Sequence, residues 1–160
     1  MQVVKGVDPK TGSEFNLQVN DIDKNFIDRM SDLQLTNKSI DKMISGLEIS
    51  SDAKLLLSKI SETAIQVGSY IVNIGRKIID SVCWVYKEYP SATFGLVCGA
   101  VIGGLIASIP IIGFVLGPLF LPLAAAFGLA KGVTEDLKDK QLSREIAKIR
   151  AEFAPLKAAS

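Results

Sequence analysis

Four carboxylates border the most apolar part of this sequence: Asp80 and Glu88 before it, Glu135 and Asp136 after it. A pair of carboxylates can do acid–base chemistry when their environments push their pKa values apart. Such a pair still needs a nucleophile, a phosphate-binding loop or a metal at a workable spacing, and none of these is present. The chain has no histidine, so it lacks the commonest general base and metal ligand. Cys83 and Cys98 have neither CxxC spacing nor a histidine partner. They read as small buried hydrophobes, with a mutual disulfide as the alternative and no zinc site. The expectation is a protein that is not an enzyme and carries no metal and no cofactor.

What positions those carboxylates is more informative. The 160 residues are one domain's worth of chain. A net charge of +1 provides no field that would select nucleic acid. Mean hydropathy is +0.31, and the apolar residues are concentrated rather than spread. Between Glu88 and Lys131 there is no charged residue. A span needs about 20 apolar residues, so this stretch has room for two. Its first half, Ser91 to Ile109, has no proline, while the second, Ile111 to Ala130, holds Pro118 and Pro122. Pro110, within Ile109-Pro110-Ile111-Ile112-Gly113, separates them at a turn that is itself apolar. The expectation is a transmembrane helical hairpin entering a bilayer from one face.

Around it the sequence divides into four parts: 1–51, 52–90, 91–133 and 134–160. In the first, Val3, Val4 and Val7 precede the turn residues Asp8 to Gly12, and Phe15, Leu17 and Val19 alternate after them. That pattern predicts a small β-hairpin. Asp21 is the expected cap of a helix carrying Ile22, Phe26, Met30 and Leu33, and Thr36 that of one carrying Ile40, Met43, Ile44 and Leu47. Residues 52–89 place Leu57, Ile60, Ala64, Val67, Ile71, Ile74, Ile78, Val82, Val85 and Tyr89 three or four apart. This spacing predicts one amphipathic helix roughly 55 Å long, ended by Pro90. Thr134 caps a final amphipathic helix with Leu142, Ile146, Ile149 and Phe153 on one face. The fold class expected is an all-α membrane protein. The N-terminus, Met1-Gln2-Val3-Val4-Lys5, has no apolar core of a signal peptide, so insertion of the mature chain is expected.

Small residues recur every fourth position. Gly95, Gly99, Gly103 and Ala107 form one row, Gly113 and Gly117 a second, Gly128 and Gly132 a third. Such rows let helix backbones approach closely in lipid. They fit association between chains or packing inside one hairpin. Trp84, Tyr86 and Tyr89 precede the apolar block and read as an interface belt at the headgroup layer. Arg76, Lys77, Lys87, Lys131, Lys138 and Lys140 flank it, which favours both termini on the cytoplasmic face.

Over residues 52–153, an apolar hairpin between amphipathic helices resembles the layout of the channel-forming colicins. The resemblance lies in pattern and not in a motif, and it implies a membrane-inserting, oligomeric pore or translocation channel. The competing expectations are a non-conducting membrane anchor or scaffold, and a structural component of a larger assembly that buries the hairpin. The partners expected are a lipid bilayer, further copies of the chain, and proteins bound through the amphipathic helices, with no nucleic acid.

Overall fold

The computed structural model describes residues 2–30, 36–89, 93–127 and 140–157. Its first turn is set by Asp8, whose carboxylate accepts the backbone N–H of Lys10 (2.8 Å) and Thr11 (3.2 Å). Gly12 supplies the left-handed φ of 75° that returns the chain. The flanking strands, β1 (Gln2–Val7) and β2 (Glu14–Val19), pair antiparallel with Val4 opposite Leu17. Two more short strands, β3 (Ile65–Val67) and β4 (Tyr70–Val72), extend the sheet in the order β2-β1-β3-β4. The all-α reading is therefore corrected: the fold combines helices with a four-stranded antiparallel sheet.

Three short helices precede or flank the second hairpin. For α1 (Lys24–Met30) the cap is Asp23 and not Asp21, since Asp23 Oδ1 accepts from the N–H of Asn25 and Phe26. Leu33 lies outside the described residues. Thr36 caps α2 (Asn37–Ser45) through Ser39 N–H, and Ser50 caps α3 (Ser51–Ser61) through Ala53 N–H.

The single helix expected over 52–89 is not formed. It is α3, the β3–β4 hairpin and α4 (Ile74–Glu88). The cause is local. Ile65, Val67, Ile71 and Val72 are β-branched, and the Gly68-Ser69 dipeptide between the strands is a two-residue hairpin turn. Gly68 has φ +58° and no non-glycine residue among those described has positive φ, as a type II′ turn requires. The reversal lays α4 back against α3. Gly75 permits that contact: a Cβ there would collide with the Ile60 carbonyl and come within 2.5 Å of Thr63 Oγ1. Thr63 is itself fixed, its hydroxyl donating to Ile60 O at 2.6 Å and its carbonyl accepting from Gly75 N–H at 3.2 Å.

The apolar stretch forms α5 (Phe94–Ser108) and α6 (Pro110–Ala126), with only Ile109 between them. No helix among the described residues is long and apolar enough to cross a membrane. Fifteen and seventeen residues rise about 22 and 26 Å, short of a hydrocarbon core of about 30 Å. The hairpin is instead wrapped by the rest of the chain. α6 lies across β1 and β2 and against α3, while α5 packs on α4 and on α7 (Lys140–Glu152). Gly6 on β1 makes room for α6, since a Cβ would sit 2.7 Å from Val115 Cγ2 and 2.8 Å from Ile111 Cδ1. Leu142, Ile146, Ile149 and Phe153 are buried at the C-terminal end, as the seam predicts, while Thr134 lies outside the described residues. The transmembrane hairpin, the pore-forming reading attached to it and the membrane-inserted location with both termini on one face are thus corrected. The amphipathic helices turn their apolar faces onto the hairpin, which becomes the core of the domain.

Pro118 and Pro122 sit inside α6 without ending it. Each removes a donor, freeing the carbonyls of Phe114 and Pro118. Phe114 and Pro118 are both only half-buried.

Gly75→Ala is expected to destabilise the domain by about 3 kcal/mol or more, because a helix backbone cannot yield as a side chain can. Urea unfolding followed by circular dichroism checks this, and an unchanged midpoint would remove the α3–α4 contact from the account.

Candidate functional site

Among the described residues, one side of the helical hairpin is left uncovered. On α6, Pro110, Leu121 and Ala125 are exposed, and Phe114, Gly117 and Pro118 are half-buried. They fall on one helical face, at intervals of three and four. Leu121 is 77% exposed, the most accessible large apolar side chain among the described residues. A Cβ at Gly117 would meet nothing within 4 Å, so a shallow notch lies one turn from Leu121. Neither α5 nor α6 carries a charge.

The sheet ends on the same side. Phe15 on β2 stacks on Phe114 at a centroid distance of 4.7 Å and an interplanar angle of 23°. β2 is an outer strand of the sheet. The N–H of Asp8 donates to Ser13 O at 2.8 Å, which fixes the alternation of the ladder. Phe15, Leu17 and Val19 then bond inward to β1, and the backbone groups of Glu14, Asn16 and Gln18 point outward. Among the described residues only β1 and α6 pack substantially against β2. The strand has no proline, lysine or bulge of the kind that usually guards an edge. Its one charged side chain, Glu14, bridges back to Lys5 at 3.0 Å.

Two clefts lie elsewhere. One, of about 490 Å³, has Val7, Val115 and Leu119 among its apolar walls and Lys10, Lys59 and Glu62 among its charged ones. Its hydroxyl, on Thr63, donates to Ile60 O at 2.6 Å. The other, of about 270 Å³, runs between α4 and α7 past Trp84, Asp80 and Glu145. Among the described residues, no group of three or more candidate ligands could hold a metal ion.

The glycine rows resolve into packing within the hairpin. Positions Gly95 and Gly103 face Phe127 and Phe120, at 3.2 and 3.3 Å from where a Cβ would be. Gly99 is buried, Gly113 lies under the Ile106 carbonyl, and Ala107 is exposed. Gly128 and Gly132 are outside the described residues. The three aromatics do not form a belt. Tyr86 meets Phe94 edge-on at 5.3 Å, Tyr89 packs on the core, and Trp84 is 48% exposed beside α7. Of the four carboxylates, Asp80 lines the smaller cleft, Glu88 is exposed at the end of α4, and Glu135 and Asp136 lie outside the described residues. Sequence reasoning missed Gly6 and Gly75, whose role is visible only once strand and helix are in contact. It also missed the β2 edge, although the alternation of Phe15, Leu17 and Val19 marks the strand.

No protein-family model, no curated protein and no solved structure matches the chain.

The cysteines stay protonated. Burial, and then the neighbouring Asp80 charge, push the Cys83 thiol up to about 11. Burial likewise raises Cys98, with a smaller contribution from Cys83. Below pH 9 a shift of this size leaves about 100-fold less thiolate than an ordinary cysteine has. Iodoacetamide should therefore label Cys83 slowly at pH 8 and faster as pH rises toward 11. Labelling at the rate of a free thiol at pH 8 would contradict this burial.

Proposed function

We propose that this protein is a non-catalytic assembly component, a folded domain that joins other protein subunits through the uncharged outer face of α6. The observation that carries this reading is the exposure of Leu121 within a helix face that has no charge along its length. Exposed apolar patches mark sites of interaction with other proteins or with membranes. The clefts supply no constellation that favours catalysis over binding.

The reading is tested by sedimentation of the full chain and of Leu121→Glu over a range of concentrations in detergent-free buffer. The wild-type chain is expected to show mass above the monomer that grows with concentration. Leu121→Glu is expected to be monomeric and to melt at the wild-type temperature, since the residue is on the surface. Equal assembly of the two proteins would contradict the reading.

A further inference from the structure

We infer that the partner covering this side is a second copy of the chain, paired β2 to β2 about a two-fold axis normal to the sheet. The inference rests on the assembly reading above and adds the occupant and its register.

The free edge comes first. Glu14, Asn16 and Gln18 turn three N–H donors and three C=O acceptors outward. Antiparallel pairing of two such edges, centred on Asn16, sets Asn16 opposite Asn16 and Glu14 opposite Gln18 of the second copy. In that register every outward group meets a complementary group, giving an exchange of bonds at each pair. Charge favours the register as well. The carboxylate of Glu14 falls beside a neutral amide and not beside a second carboxylate, so no like charges oppose each other across the join. The pair on the inner side of the sheet is Phe15 with Leu17, both half-buried and apolar.

The helix face comes second and independently. A two-fold axis normal to the sheet reverses strand direction but keeps each sheet face where it was. Both α6 helices then lie on the same side of one eight-stranded sheet. Phe114 stacks on Phe15, so the open face of α6 looks out over the β2 edge. The rotation brings the Phe114 ends of the two α6 helices toward each other, while Leu119, beside Val7 and Lys10 at the turn end of the β1–β2 hairpin, carries Leu121 away from the axis. A second copy brings an edge of matching length whose outward groups are already fixed in extended form.

The join is small. A strip as long as β2, about 20 Å, and about 20 Å across is about 400 Å² per copy. The total of about 800 Å² is that of a weak, transient interface. The association is therefore expected to depend on concentration.

Cross-linking tests the register. The Cα atoms of a bonded antiparallel pair are about 5.5 Å apart, within reach of a disulfide. In a Cys83→Ser background, Asn16→Cys is treated with copper phenanthroline and run on a non-reducing gel. Gln66→Cys is the control, on the same outer sheet face but on β3, away from the join. Asn16→Cys is expected to double in mass and Gln66→Cys to remain single. Asn16→Pro, which removes one outward N–H without touching α6, is expected to lower the dimer fraction at least tenfold. If Leu121→Glu dissolves a wild-type oligomer while Asn16→Cys does not cross-link, the assembly reading stands and this register is overturned. Cross-linking of Gln66→Cys as readily as Asn16→Cys also overturns it. A chain that sediments as a monomer at every concentration overturns both.

Discussion

A stretch without charge from Tyr89 to Ala130 must be kept from water, and the rest of the structure follows from how that is done. Burial of each large aliphatic side chain stabilises by about 1.5–3 kcal/mol. Val101, Ile102, Leu105, Ile111, Ile112 and Leu116 are all fully buried. The elements that bury them are α3, α4 and α7 to the flanks and the sheet beneath. Gly6 and Gly75 are two of the positions where a backbone must come close for this wrapping to close.

Wrapping is complete on three sides of α6 and absent on the fourth. The sheet lies below, α3 on one flank and α5 behind. Toward β2 nothing among the described residues follows, and the sheet and helix layers stop together at the Phe15–Phe114 stack. The same geometry that hides the hairpin thus leaves a bounded apolar strip beside a row of backbone groups that point away from every described strand. An edge of this kind is costly to leave open in a crowded solution, which is the physical reason to read it as a joint.

Much of the local structure was legible in the residues. The Asp8–Gly12 turn, the Thr36 cap and the C-terminal seam of Leu142, Ile146 and Ile149 need only neighbouring positions, and they form as the spacing predicts. The helix expected over 52–89 failed because Val67, Ile71, Ile74 and Ile78 fit a helical period by coincidence across a Gly-Ser turn. Ile71, placed in the seam, is 70% exposed on the sheet. The larger error was reading uniform apolarity as a lipid-facing span. A helix apolar all round is equally the signature of one buried in protein. Which solvent surrounds it depends on whether other segments can cover it, and that is a property of the whole chain. The candidate site was invisible for a related reason. The edge of a sheet exists only after strand order is known, and the offset of β3 and β4 by α1 to α3 hid that order.

Hydrogen exchange in lipid-free buffer tests the central claim most directly, that α5 and α6 are the core of a folded protein domain. The account predicts that amides of Val101, Ile102, Leu105, Val115 and Leu116 exchange only on global unfolding and are the slowest in the chain, with vesicles adding no protection. Fast, loop-like exchange of these amides in buffer, slowed only when vesicles are added, would contradict it.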